Sequence, residues 1–269
     1  TMAKRAADVG MSVMIDFHYS DFFADPGKQI TPAEWSGLDL KGLSAKVAEH
    51  TKDVLSALKS AGVTPLWIQV GNETRPGMLW ETGRLYNDKG EIAGGWKNYT
   101  ALNNAGYDAV KAIFPRAQVI VHIDNAYQDN SWFFDKLKAN GGKFDMIGLS
   151  HYPMAGSGMT WKAMNSAAIL NIKTLAAKYG CRVMVCEIGV SGSASDLAAS
   201  TKCIKDFMNS AKALSICAGV FYWEPEVDGK WRPSIYEKPD RNWGAYGAGA
   251  FTSDGSALYP TSVLAAFGE

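Results

Sequence analysis

Short apolar runs alternate with longer amphipathic stretches along almost the whole chain, and this alternation constrains the fold more than any other feature. Apolar runs fall at residues 13–17, 66–70, 119–123, 146–149, 183–186 and 219–223. Between them lie stretches with helical periodicity at 45–61, 96–114, 131–139, 163–179 and 194–214. Val47, Val54, Leu55 and Leu58 fall on one helical face, and Gly62 stops that helix. Pro115 ends the second helix, Gly141-Gly142 the third and Gly180 the fourth, while Ser195 is expected to cap the fifth. Strands apolar on both faces and separated by helices imply a parallel sheet covered on both sides. A long loop rich in Gly, Pro and Trp then runs to about residue 260, and a short helix closes the chain.

Polar residues gather on the C-terminal side of each apolar run: Asp16 and His18, Asn72 and Glu73, Asp124 and Asn125, His151, Glu187, and Glu224. A (β/α)8 TIM barrel collects its chemistry at the C-terminal ends of many strands in this way. A doubly wound sheet would draw on fewer strands at one switch point, and no Gly-rich phosphate fingerprint follows the first strand. The expectation is an α/β (β/α)8 barrel forming a single catalytic domain over residues 1–269. Only six βα units are visible, and residues 1–10 read as the second half of a helix with its glycine stop, so the first two strands are expected to be missing.

Two of those polar residues suggest a reaction. Glu73 ends the segment Pro65-Leu66-Trp67-Ile68-Gln69-Val70-Gly71-Asn72-Glu73, and Glu187 ends Arg182-Val183-Met184-Val185-Cys186-Glu187. Two carboxylates facing one cleft are what glycosidic cleavage needs: one protonates the leaving oxygen, the other attacks the anomeric carbon. Asn72 is placed to hydrogen-bond a sugar 2-hydroxyl. The plainer alternative for either glutamate is a helix cap or an ion pair with an arginine.

Composition removes other classes. Lys plus Arg and Asp plus Glu are 27 each among 269 residues, so no basic footprint for nucleic acid or a membrane surface is expected. No apolar run approaches the roughly 20 residues that span a bilayer. Cys181, Cys186, Cys203 and Cys217 lack metal-ligand spacing and are expected as buried free thiols. Trp35, Trp80, Trp231 and Trp243 fall outside the periodic segments, where an indole face can stack on a sugar ring or cap the core. Lys28 and Gln29, in the loop after the first run, are candidates for bonding hydroxyls or are solvated loop residues.

The segment Asp16-Phe17-His18-Tyr19-Ser20-Asp21-Phe22-Phe23-Ala24-Asp25-Pro26-Gly27-Lys28-Gln29 resembles the signature block of glycoside hydrolase family 53, the endo-β-1,4-galactanases. Gln69-Val70-Gly71-Asn72-Glu73 is similar to that family's acid/base motif, and Phe221-Tyr222-Trp223-Glu224-Pro225 to its ending. The resemblance runs from residue 1 to about residue 250. It implies a retaining hydrolase of the β-1,4-galactan side chains of pectin, working through a covalent glycosyl-enzyme. Glu73 would be the general acid/base and Glu187 the nucleophile. Trp223 would floor the −1 subsite, Asp16 and His18 would line the same pocket, and His151 and Tyr152 would orient Glu187. Asn125, Trp35, Trp80 and Trp231 complete the expected substrate contacts. The clan's arginine on strand two has no counterpart here. The loop after Glu187 is short and holds no compact carboxylate cluster, so no metal and no cofactor are expected, calcium included. The expected partner is a polysaccharide, the expected state a monomer, and the expected location secreted or cell-surface, since such a substrate is too large to enter a cell. The competing expectations are another clan A endo-glycanase (a mannanase or cellulase) and a non-catalytic carbohydrate-binding protein on the same barrel.

Overall fold

A computed structural model describes residues 2–155, 158–227, 247–254 and 256–268. Trp231 and Trp243 lie outside the described residues. The chain divides into two compact units, one of Thr1–Asp124 and Ser131–Gly148, the other of Asn125–Asn130 and Leu149–Glu269.

The first unit runs α1 (Met2–Asp8), β1 (Met14–Phe17), a 3-10 turn (Ala33–Trp35), α2 (Leu40–Ser60), β2 (Trp67–Val70), a small antiparallel hairpin of β3 (Tyr86–Asn87) and β4 (Gly90–Glu91), α3 (Gly95–Ile113), β5 (Gln118–Ile123), α4 (Ser131–Ala139) and the first half of β6 (Met146–His151). Its strand order is β1-β2-β5-β6. β1, β2 and β5 pair in parallel, with Phe17 opposite Val70 and Ile68 opposite Val119. That register sets Asp16 opposite Gln69, so the two side chains leave the sheet on the same side. Carried two residues further, the β2–β5 register brings His122 level with Gly71, in the loop that follows β2.

α2 shows how the helices attach. Asp39 caps it, accepting the Gly42 N–H on Oδ1 at 2.8 Å. Its buried stripe is Leu43, Val47, Thr51 and Leu55, spaced four residues apart. Leu43, Val47 and Leu55 are each at most 2% exposed, and burying each contributes roughly 2 kcal/mol. Thr51 Oγ1 also meets the Tyr19 hydroxyl at 2.6 Å, which ties the helix to the chain just beyond β1.

The second unit holds the rest of β6, then α5 (Trp161–Tyr179), β7 (Val183–Ile188), α6 (Leu197–Lys212), β8 (Cys217–Tyr222), an antiparallel hairpin of β9 (Phe251–Ser253) and β10 (Leu258–Pro260), and α7 (Ser262–Gly268). Its strand order is β6-β7-β8, and β7 pairs with β8 in parallel. β6 and β7 are buried at every position, as expected of strands covered on both faces. α6 begins at Leu197 after Asp196, not after Ser195. The Asp196 carboxylate is occupied by the Ser191 and Ser193 hydroxyls, at 2.6 and 2.8 Å. Cys186 and Cys203 are buried free thiols, while Cys181 and Cys217 are half-buried ones.

Candidate active site

In the first unit the polar residues at the ends of β1, β2 and β5 form one hydrogen-bonded network. Gln69 Nε2 donates to Asp16 Oδ1 at 2.6 Å and to Asn72 Oδ1 at 3.0 Å. His18 Nδ1 accepts the Ala24 N–H at 2.8 Å, which leaves the proton on Nε2 for Asp16 Oδ2, 3.2 Å away. Asn72 Nδ2 donates to the Ala24 carbonyl at 2.8 Å, fixing which end of that amide is which. Asp16, His18 and Asn72 are thus brought together, and Asp16 and His18 also line a cavity of about 400 Å³ with Trp35 and His50.

Glu73 follows Asn72 in a turn of unusual shape. Gly71 has φ +84° and Glu73 φ +47°, so a non-glycine residue sits in the left-handed region, at a cost on the order of 1 kcal/mol. A side chain on Gly71 would also meet Thr74 Cγ2 at 2.6 Å. The Thr74 N–H donates to the His122 carbonyl at 2.8 Å, and Thr74 Oγ1 lies 2.7 Å from the Tyr99 hydroxyl. Glu73 is only 8% exposed. Arg75, two residues on, makes a two-pronged ion pair with Asp124, Nη2 to Oδ2 at 2.8 Å and Nε to Oδ1.

Two residues of this unit hold positions that the sequence did not suggest. Gln29 is 2% exposed and donates from Nε2 to the Asn72 carbonyl at 2.8 Å and to the Asp25 carbonyl at 3.2 Å, so it braces the turn instead of offering its amide to a sugar. His122 lies within the apolar run at residues 119–123. Its Nδ1 lies 3.0 Å from Asn72 Oδ1 and 3.3 Å from the Glu73 backbone nitrogen, and burial pushes the ring down to about 4. A histidine inside an otherwise apolar run was the available signal.

In the second unit, Glu187 lies one residue before the end of β7, where the pairing with β8 slips between Val185 and Ile188. It is 7% exposed, and the Tyr152 hydroxyl donates to its Oε2 at 2.6 Å. Tyr152 follows directly on the end of β6, and its ring lies against Gly189, where a side chain would meet Cε1 at 2.8 Å. His151 turns away from Glu187. It is fully buried, packs on Phe207 at a ring separation of 4.7 Å and donates from Nε2 to Asn165 Oδ1 at 2.9 Å. Asn165 Nδ2 is engaged by Asp206 and the Cys203 carbonyl, which assigns that tautomer. Burial holds His151 down to about 4. Asn125 sits in the left-handed region with φ +57°, and its carbonyl accepts from Asn130 Nδ2 at 3.1 Å. Trp223 is half-buried just past β8, its backbone N–H donating to the Ile188 carbonyl at 2.9 Å. Glu224 beside it is pushed up to about 7 by burial, with Glu226 adding to the effect.

The expected outer tryptophans differ in what they present. Trp35 is 8% exposed and packs edge-on against His50, beside which it lines the cavity shared with Asp16 and His18. Trp80 is half-buried under the Arg84 guanidinium, 4.3 Å from its ring centre. The indole of Trp132, at the head of α4, is 39% exposed.

A family model described as glycosyl hydrolase family 53 matches residues 1–259. The chain belongs to glycoside hydrolase family 53. It is 32% identical to an arabinogalactan endo-beta-1,4-galactanase of Thermothelomyces thermophilus, over 83% of this chain and 70% of that protein. It is 30% identical to an endo-beta-1,4-galactanase of Bacillus subtilis (strain 168), over 92% of this chain and 59% of that one. Among solved structures, one from a study of two fungal beta-1,4-galactanases superimposes with a TM-score of 0.78 at 29% identity, covering 100% of this chain and 80% of its own. The catalytic domain of an Ignisphaera aggregans family 53 protein also reaches 0.78, at 25% identity, covering 99% and 76%. A family 10 xylanase from Bispora reaches 0.66 at 15% identity, a likeness of fold alone. This family 53 chain is a glycoside hydrolase with the (β/α)8 fold, six of whose parallel strands lie among the described residues. No described helix is long and apolar enough to cross a membrane.

Proposed function

We propose that this chain hydrolyses β-1,4-galactosidic bonds within galactan, the side chain of pectin and type I arabinogalactan, with retention of configuration and through a covalent glycosyl-enzyme. Glu187 attacks the anomeric carbon while Glu73 protonates the departing oxygen. Glu73 then takes the proton of the water that releases the sugar. Galactan is the substrate because relatives at 30% and 32% identity carry galactanase names. The observation that carries the division of roles is the 2.6 Å hydrogen bond from Tyr152 to Glu187. A phenol donating to one oxygen of a buried carboxylate favours its ionised form and leaves the other oxygen for attack.

Asn72 keeps one amide hydrogen on the Ala24 carbonyl and would turn the other toward the sugar 2-hydroxyl. Asp16 and His18 would bind neighbouring hydroxyls, and Trp223 would stack under the ring at −1. The chemistry draws on side chains alone, and it takes place outside the cell, where a polysaccharide is met. Retention calls for the two carboxyl groups to stand about 5 Å apart.

The test is hydrolysis of linear galactan followed by proton NMR, with mannan and cellulose alongside. The expected result is β-anomeric product appearing first, from galactan alone. First-formed α product would overturn retention, and equal turnover of mannan or cellulose would overturn the substrate.

A further inference from the structure

His122 is fully buried near the end of β5, and no step of the proposed reaction uses it. Yet it touches three consecutive residues of the turn that carries the acid/base. Its carbonyl accepts the Thr74 N–H at 2.8 Å and Thr74 Oγ1 at 3.2 Å. Its Nδ1 faces Asn72 Oδ1 at 3.0 Å and the Glu73 N–H at 3.3 Å. One of its ring nitrogens also comes within 4.8 Å of a Glu73 carboxylate oxygen.

A neutral imidazole carries one N–H and one lone pair, so Nδ1 either donates to Asn72 or accepts from Glu73, and each choice ties the same turn. A charged ring would present a hydrogen on Nδ1 to the Glu73 N–H and lose the second option. Burial opposes that charge, Asp16 favours it and His18 disfavours it, and burial prevails. The tie matters because Glu73 holds a left-handed backbone conformation that its own residue type does not favour.

We infer that His122 is the positioning residue of the acid/base: a neutral imidazole that holds the Asn72-Glu73-Thr74 turn so that the Glu73 carboxyl is aimed at the leaving oxygen. This rests on Glu73 being the acid/base. A residue that acts only by aiming a proton donor matters when the leaving group needs a proton and hardly matters when it does not.

The experiment compares kcat/KM on phenyl and 2,4-dinitrophenyl β-1,4-galactobiosides for wild type, His122→Ala, His122→Asn and Glu73→Ala. The ratio of the two activities within one preparation does not depend on how much of it is folded. His122→Ala should lose about 10- to 100-fold on the phenyl glycoside and less than about 3-fold on the dinitrophenyl one. His122→Asn, which keeps a polar atom near the place of Nδ1, should recover part of the loss. Equal losses on both substrates, or no loss on either, would overturn the role of His122. Glu73→Ala must show the same selectivity in stronger form. If it does not, the assignment of Glu73 fails, whatever His122 does.

Discussion

Replacing Tyr152 by Phe removes one oxygen atom and little else. The ring stays where it is because its edge packs on Gly189, at a spot where a Cβ would come within 2.8 Å of Cε1. What is lost is a 2.6 Å O–H···O bond to a carboxylate that is 7% exposed. That length falls in the short, charge-assisted range. A hydrogen bond to a charged group contributes about 1.5–3 kcal/mol, and each 1.36 kcal/mol is a factor of ten in rate. Without the donor, Glu187 is less firmly ionised and less firmly aimed, so kcat/KM on galactan should fall roughly 10- to 150-fold. Reducing-sugar release from linear galactan between about pH 4 and 8 measures it, with circular dichroism to confirm an unchanged fold. A variant within about 3-fold of wild type across that range would refute the role given to this bond.

Other consequences can be checked as simply. Glu187→Gln should abolish turnover while affinity for galactan, read by gel retardation, persists; near-wild-type activity would remove Glu187 from the chemistry. Gly71→Ala forces a side chain into a φ +84° position 2.6 Å from Thr74 Cγ2, and it should lower stability by about 1–3 kcal/mol in urea titration and reduce kcat as the Glu73 turn shifts. Acid should destabilise the fold before any carboxylate of ordinary affinity is protonated. His122 and His151 are held down to about 4 from an ordinary 6.5, so the unfolded chain takes up protons in that window that the folded one refuses. The stability they lend is complete above about pH 6.5 and drains away toward pH 4, at up to about 1.4 kcal/mol per pH unit for each ring. Glu224, raised to about 7, pulls the other way, but it is half-exposed and counts for less than one proton. Urea midpoints should therefore rise from pH 4.5 to 6.5; a flat or falling trend would show the two rings to be protonated in the fold.

The strands and helices were largely visible in the sequence because apolar runs and glycine stops mark them. Residues 131–139 became α4 without adjustment. Boundaries moved where polar residues took part in regular structure. α2 starts at Leu40, five residues before its apolar periodicity begins, because Asp39 caps it. β6 runs on through Ser150 and His151, and β7 through Glu187 and Ile188, since residues at a strand's mouth can still pair. The β3–β4 hairpin is not legible in the sequence because Asn87-Asp88-Lys89-Gly90 reads as plain loop.

Of the candidate site, Glu73, Asn72, Asp16 and Glu187 are legible from their place at the C-terminal ends of apolar runs. The direction of a side chain could not be read that way. His151 and Tyr152 are neighbours, yet one turns to Asn165 and the other to Glu187. His122 carries no mark except one polar residue in an apolar strand, and the tie it makes to residues 72–74 comes from strand register.

The central claim is that Glu187 forms the bond to the sugar. A 2-deoxy-2-fluoro-β-1,4-galactobiosyl fluoride should inactivate the enzyme, and mass spectrometry of the digested protein should place one fluorodisaccharide on the peptide bearing Glu187. An adduct on Glu73, or full hydrolysis with no adduct and inverted product, would contradict the account.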